Sequence, residues 1–595
     1  MPVWKLLFAA PLLLVVLGFS IAICEAQEGS RNSQSAIKVR VSFEENQWQL
    51  YRDGSPYQIK GAGGNGPLEL LAKYGGNSTR TWGVGPNTLA RLNEAHANGI
   101  SVTLGVWLEY ESRGYDYQNY EQVNEQIEKV MEAVRKYKHH PALLMWGVGN
   151  EMEGYGSGDN PAIWHHVDHL CRLIKAEDPN HPTMTVIAEI GGNKVPAINK
   201  FCPHVDVVGI NSYGGAASLP KRYKEAGGQK PYVVTEFGPA GPWEVGRDSI
   251  NAAPEPPSNV KAENYRIAYS GFSQDKKFCL GSYAFLWGQK MEATTTWFGM
   301  LLEDNRRTNM VETMSTLWTG KPTENKTPCI ASLTNQGANE VDAGTELNFQ
   351  LAASDPEGGE IKVEWQLLSE ADAYITAGDY KPNPDPIADA IIESSNESAR
   401  VRAPETAGLY RLYAIVDDGT GAVATANLPF RVNLQPLDSP GVKQRVPCVL
   451  YDEPNNQESP YNMPLRNGDI SRTSLEMKHA EGTKFGSNCI RFQSEAGAES
   501  DVQLVAGKAF NLMGANRLSF WAKGTTGTEQ LVIGIGSESD ETYFKEKTVP
   551  LTRHWKKFQL DFANVDLRKI QTGFRWSVKP TDAESTVYLD RVVIE

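Results

Sequence analysis

Two apolar runs in this chain each end on a glutamate. The first is Leu143-Leu144-Met145-Trp146-Gly147-Val148-Gly149-Asn150-Glu151, and 85 residues after Glu151 comes Glu236, in Pro231-Tyr232-Val233-Val234-Thr235-Glu236-Phe237-Gly238. A short continuous apolar run bounded by turn residues reads as a buried strand, so each run delivers a carboxylate at a strand tip. Two such groups are what cleavage of a glycosidic bond requires: one protonates the leaving oxygen while the other, ionised, attacks the anomeric carbon from the opposite side. Glu151 and Glu236 are the candidate catalytic pair. Asn150, beside Glu151, is expected to hydrogen-bond a sugar hydroxyl. An isolated strand-end glutamate is more often a solvated loop residue or an ion-pair partner; Glu189, ending Val186-Ile187-Ala188, is read as a residue that supports the site, a substrate contact or a residue without a role, and Glu109 and Glu111 as rim residues.

The elements that must position these groups are legible from about Ile37 to Trp318. Short apolar runs alternate there with helix-periodic ones, the pattern of a parallel α/β sheet. Eight strands are expected at Gln58–Ala62, Ser78–Trp82, Ser101–Trp107, Ala142–Val148, Thr183–Ala188, Val205–Ile210, Tyr232–Thr235 and Gly281–Trp287, with helices at Asn87–Asn98, Tyr120–Lys138, Pro161–Glu177 and Ser258–Ser270. Eight strand-helix units over this length predict a (β/α)8 TIM barrel, in which strand tips converge on one mouth. Glu151 and Glu236 then end the fourth and seventh strands. Other tips bring Arg80, expected to hold Glu236 ionised, and Asn211 and Tyr213, the latter as a donor to Glu236. Trp287 is expected as an aromatic floor under the sugar, with Trp107 and Trp82 as walls. Ahead of the barrel, Val39–Tyr57 reads as a hairpin turning at Arg52-Asp53-Gly54 and plugging the barrel floor.

Past Trp318 the texture becomes all-β, so the fold class is multidomain: the TIM barrel (37–318), an immunoglobulin-like β-sandwich (329–434) and a β jelly roll (442–595), behind a signal peptide (1–26). The leader is read from Lys5, the apolar run from Leu6 to Ile23 and the small residues around Cys24-Glu25-Ala26. It predicts an exported protein (secreted, periplasmic or extracellular) with no membrane span in the mature chain; Ile23 is the wrong size for lipid processing at Cys24. A net charge of −14 over 595 residues argues against a nucleic-acid partner and fits a carbohydrate. Six cysteines remain after the leader, an even count that permits disulfides in an exported chain. Cys448 and Cys489 are the expected pair. Nothing in the cysteine spacing makes a metal site, and His165, His166 and His169 read as an outer helix face. No cofactor is required.

At these motifs the chain resembles the retaining glycoside hydrolases of clan A. Trp146-Gly147-Val148-Gly149-Asn150-Glu151, Thr235-Glu236-Phe237-Gly238 and Asn77-Ser78-Thr79-Arg80-Thr81 are similar to the corresponding segments of the family 2 barrels, the β-galactosidase and β-glucuronidase group. The resemblance implies a retaining β-glycosidase acting on an oligo- or polysaccharide, with Glu151 as acid/base and Glu236 as nucleophile. Family 2 enzymes carry β-sandwich domains ahead of the barrel, whereas the lead here is short and similar to that of the β-1,3-glucanosyltransferases. A transglycosylase using the same residues is therefore the alternative. A non-enzymatic carbohydrate-binding surface protein is the third reading; it would keep the aromatic residues but lose a carboxylate. In the last domain, Leu518–Gly524 and Tyr588-Leu589-Asp590 resemble jelly-roll carbohydrate-binding modules. That implies a structural calcium, with Asp590 and Asp452 or Glu453 as ligands.

Overall fold

A computed structural model describes residues 36–154, 156–370, 382–434, 437–452, 459–536, 544–562 and 565–595. The leader and Glu453 lie outside these residues. Eight parallel strands close a barrel: β4 (Ile59–Gly63), β5 (Ser78–Arg80), β6 (Ser101–Val106), β7 (Leu143–Val148), β8 (Thr183–Ala188), β9 (Val207–Asn211), β10 (Tyr232–Phe237) and β11 (Cys279–Phe285). Each pairs with its sequence neighbour, and β11 returns to β4 at Gly281↔Ile59 to close the ring. β6, β7 and β10 are buried on both faces along their whole length, which is why they read as unbroken apolar runs.

The helices pack outside. They are α1 (Leu68–Lys73), α2 (Thr88–Ala97), α3 (Tyr120–Tyr137), α4 (Pro161–Glu177), α5 (Lys194–Phe201), α6 (Leu219–Glu225), α7 (Ser258–Phe272) and α8 (Asn309–Thr319). Asn119 caps α3 by accepting from the amides of Glu121 and Gln122, and Asn160 caps α4 ahead of Pro161. On α4, His166 faces inward against Gln126 at 2.9 Å, and burial lowers its pKa to about 4. Of the three histidines of this helix His166 is core, His165 is exposed and His169 is half-buried. Among the described residues no group of three His, Cys, Asp or Glu side chains could hold a metal ion.

The expected hairpin ahead of the barrel is a three-stranded meander. β1 (Val39–Glu44) turns into β2 (Gln47–Arg52) through Glu45 and Asn46, both at positive φ; the Asp53-Gly54 turn then leads into β3 (Ser55–Pro56). Its role as a floor holds. Val39 and Leu50 join Met145, Met184, Val207 and Tyr283 in one buried cluster. The Val39 amide donates to Asn180 O and the Trp48 amide to Lys277 O, both just ahead of barrel strands.

Beyond the barrel lie antiparallel sheets. Cys329–Asn335, Glu346–Ser354, Ser398–Arg402 and Ile391–Ser394 form one; Lys362–Ser369, Gly408–Asp417 and Ala422–Val432 build the core of another. The second sheet also takes in a barrel segment, Arg307–Thr308, which pairs with Ala422–Val423. Residues 442–595 form two six-stranded sheets around a separate core. All six described cysteines are free thiols. The expected Cys448–Cys489 pairing is corrected by register: Cys448 lies opposite Ile594, whereas Ile490 lies opposite Leu589 on the same strand. About five residues of strand, roughly 16 Å, separate the two levels, far beyond disulfide reach.

Two seams fix the sheets to the barrel. At the first, Arg411 is fully buried, gripping Glu370 through Nε and Nη2 (both 2.7 Å) and donating to the barrel carbonyl of Ala253. Beside it Glu255 of the barrel accepts from Lys261 (2.5 Å), Thr294 (2.5 Å), Thr296 (2.9 Å) and Asn427 of the second antiparallel sheet (2.6 Å). At the second, Gly114 (φ +97°) lets the last domain approach so closely that an added Cβ would sit 2.3 Å from Trp555 O and 2.6 Å from the Trp521 ring. Removing one partner of a buried pair leaves the other charge uncompensated. Arg411→Met is expected to cost about 3–5 kcal/mol in urea unfolding, and Arg411→Met with Glu370→Leu to recover most of it.

Candidate active site

The mouth of the barrel is organised around Arg80, at the tip of β5 and 2% exposed. Its Nη1 donates to Glu236 Oε1 (3.0 Å), to the Thr235 carbonyl (3.0 Å) and to Asn211 Oδ1 (3.4 Å), and its Nη2 donates to Asn150 Oδ1 (2.6 Å). One guanidinium thus ties together the tips of β5, β7, β9 and β10. Glu236 takes two further donors: Trp82 Nε1 on Oε1 at 2.8 Å and the Tyr213 hydroxyl on Oε2 at 2.7 Å. Burial and the charge of Glu236 both drive the Tyr213 pKa well up, so the phenol stays a donor.

Glu151 is held differently. The backbone turns sharply at Gly149 (φ +74°), where a Cβ would sit 2.1 Å from Met152 Sδ, and Glu151 itself has φ +52°. A non-glycine residue in this region costs on the order of 1 kcal/mol, offset here by the bond from its amide to Val186 O (2.9 Å). Its carboxyl accepts one strong hydrogen bond, from Asn211 Nδ2 at 2.7 Å. Burial, followed by the negative charge of Glu236, raises its pKa from 4.5 to about 8, against the lowering effects of Asn211 and Arg80. The two carboxyl groups on one mouth thus have different surroundings, Glu236 clamped by a cation and two neutral donors, Glu151 held protonated at neutral pH.

Of the expected residues, Arg80, Asn150, Asn211, Tyr213, Glu151 and Glu236 converge as one network. Asn150 Oδ1 is already engaged by Arg80 and by Asn211 (3.2 Å), so Asn150 positions the network as well as facing the mouth. Trp107 is half-buried with its ring 5.1 Å from Tyr110, whose hydroxyl pairs with Asn150. Trp287 is a correction. It is fully buried and its indole donates to Pro67 O at 2.9 Å, so it offers no face to a sugar. β11 ends at Phe285, and the side-chain alternation of the strand stops before reaching Trp287. Phe285 takes the inward place, 5.9 Å from the Tyr213 ring and 5.8 Å from Trp82.

Three features go beyond the sequence reading. Trp82 donates to Glu236 rather than merely walling the site; its i, i+2 relation to Arg80 was a usable signal for a shared face. Tyr110 borders both Asn150 and Glu151. Trp243, 41% exposed and edge-on to Tyr213 at 5.4 Å, is the open aromatic face at the mouth, on a loop with no periodicity to betray it. Glu189 is an ion-pair partner of Arg222 and accepts from the Ser212 hydroxyl, beside Tyr213. In the last domain Asp590 is fully buried; Oδ2 accepts the amides of Lys484 (3.0 Å) and Phe485 (2.9 Å), while Oδ1 has no hydrogen-bond partner. With Asp452 alongside, that is short of a cation cage built from side chains, and a calcium would need backbone or solvent oxygens to complete it.

Comparison with known proteins agrees with this geometry. Residues 88–246 match the family model described as glycosyl hydrolases family 2, TIM barrel domain. That stretch of the barrel carries Glu151 and Glu236 but not Arg80. The β-glucuronidase of Chlorocebus aethiops is 30% identical over 205 residues, covering 30% of this chain and 29% of that protein. The β-glucuronidase of Pongo abelii is 30% identical over 122 residues, covering 18% of this chain and 17% of that protein. The chain thus aligns with under a third of the length of these curated relatives. A solved β-glucuronidase of Dictyoglomus thermophilum is similar with a TM-score of 0.38 and 19% identity, over 48% of this chain and 54% of that one.

The raised pKa of Glu151 has a sign that can be checked. The folded chain keeps a proton that the unfolded chain releases, so this contribution to stability is full below about pH 4.5 and is lost as pH rises through about 8. Glu151→Gln is expected to flatten the pH dependence of the unfolding midpoint between these values. Carboxyl NMR should also find the Glu151 pKa lower in Glu236→Gln, where the larger of its two raising charges is gone.

Proposed function

We propose that this chain is a retaining β-glycosidase of the β-glucuronidase kind. The observation that carries the reading is the asymmetry of the two carboxyl groups. Glu236, gripped by Arg80, Trp82 and Tyr213, is the nucleophile, and Glu151, held protonated by burial and by the charge of Glu236, is the acid. Glu236 attacks the anomeric carbon as the proton of Glu151 passes to the departing oxygen, and the glycosidic bond breaks. Once Glu236 is an ester its charge no longer raises the pKa of Glu151. The resulting Glu151 carboxylate then takes a proton from water as that water displaces Glu236. The names of the curated relatives support a β-glucuronide or a closely related β-glycoside as substrate.

Residues 1–26 support export, which suits an oligo- or polysaccharide met outside the cell. The two-sheet region at 329–434 fits an immunoglobulin-like spacer, and 442–595 fits a carbohydrate-binding jelly roll. The buried, half-satisfied Asp590 supports a structural calcium there, which would contribute to stability and take no part in the reaction.

The reading is tested on an activated aryl β-glycoside. Glu236→Gly is expected to abolish hydrolysis and, with azide added, to release a glycosyl azide of inverted configuration; normal turnover in this variant would sink the assignment. Glu151→Gln should lower kcat/KM by about 10²–10⁴-fold for poor leaving groups and far less for good ones. In the unsubstituted protein kcat/KM should fall as pH rises through about 8, following loss of the Glu151 proton. Release of the sugar to water, rather than to added sugar acceptor, separates hydrolysis from transglycosylation.

A further inference from the structure

Away from the mouth, the last domain meets the loop and helix that follow β6, and the seam is not filled. Two adjoining cavities of about 350 and 380 Å³ open there, both lined by Lys523 and Arg553. Among the described residues Lys523, Lys484 and Arg553 have no carboxylate partner, in a chain whose net charge is −14. The Lys523 ammonium lies between two rings, 5.1 Å from the centroid of Trp555 and 5.0 Å from that of Tyr588; Lys484 lies 4.6 Å from the Trp521 centroid. The other wall belongs to the barrel and is acidic, with Asp116 and Glu121 lining it and Glu125 bonded to His554 at 3.1 Å.

We infer that this seam is a binding cleft for an acidic saccharide, one to two sugar units carrying a carboxylate. Unpaired cations on one wall match the carboxylate. Carboxylates on the facing wall accept from sugar hydroxyls, and Trp555 and Tyr588 offer faces to the ring C–H groups. A purely anionic ligand such as phosphate would meet repulsion from Asp116 and Glu121, and a neutral sugar would leave Lys523 and Arg553 unanswered. The cleft is connected to the catalytic mouth by one short stretch: Tyr110 borders Glu151, the turn Glu111–Arg113 follows, and Gly114 lies in the cleft wall. A chain anchored in the seam is thereby held beside the mouth, which raises the local concentration of its linkages.

The test is calorimetric titration of the full chain with tri-galacturonate and with a glucuronate-containing hyaluronan tetrasaccharide, each against its methyl ester. At least one acid should bind, its ester at least about tenfold more weakly, and the affinity should fall with added salt. Lys523→Gln with Arg553→Gln should weaken binding at least about tenfold, Lys523→Arg should restore it in an otherwise unsubstituted chain, and Glu236→Gln should leave it unchanged. Binding of neither acid, equal binding of acid and ester, or full binding by the doubly substituted chain would overturn the inference. The inference does not rest on the glycosidase assignment: turnover of a small aryl glycoside should be the same in Lys523→Gln/Arg553→Gln as in the unsubstituted protein, and loss of one property would leave the other standing.

Discussion

Everything at the mouth depends on one buried cation. Arg80 has almost no contact with water, and its charge is tolerable only because three other strand tips supply it with four oxygens: Glu236 and the Thr235 carbonyl, Asn211 and Asn150. The dependence runs both ways. Without the guanidinium, Glu236 would keep only Trp82 and Tyr213 as side-chain donors among the described residues. Without Glu236, the guanidinium would be left with neutral acceptors. The barrel closes with these groups in register because each lies at the same level of the ring, where strands of similar length end together.

The asymmetry of the carboxyl groups follows from how each strand ends. β10 carries Glu236 while still hydrogen-bonded to its neighbours, so its side chain points into the ring of donors. β7 ends three residues before Glu151, and the left-handed turn at Gly149 and Glu151 lifts that side chain to a place where only Asn211 reaches it. The same chemical group is thus ringed by donors in one place and held protonated in the other by backbone geometry.

The barrel was legible because its strands are buried on both faces: unbroken apolar runs bounded by Gly and Pro located all eight to within two or three residues. α1, α5 and α6, six to eight residues long, span too few turns for a period to show. The first turn of the floor meander was hidden because Glu45 and Asn46, not glycine, take the positive φ there. At the site, the charged and amide residues were readable from their strand tips, since hydrogen-bonding groups at a mouth have few other uses. The aromatic residues were not. Trp287 and Trp243 are the same side chain to a sequence reader, and only where the strand stops decides that one is core and the other open to solvent.

The short pairing of Arg307–Thr308 with Ala422–Val423 makes the border between the barrel and the antiparallel sheet beyond it a formality of composition. A strand shared across that border means that neither part has a complete set of backbone hydrogen bonds by itself, and the carboxylate of Glu255 draws its ligands from both. Cutting after Trp318 would therefore break that pairing and take one of its four donors, Asn427, from Glu255. The barrel and the sheet that follows it are one hydrogen-bonded piece, and a boundary drawn by composition runs through the middle of it.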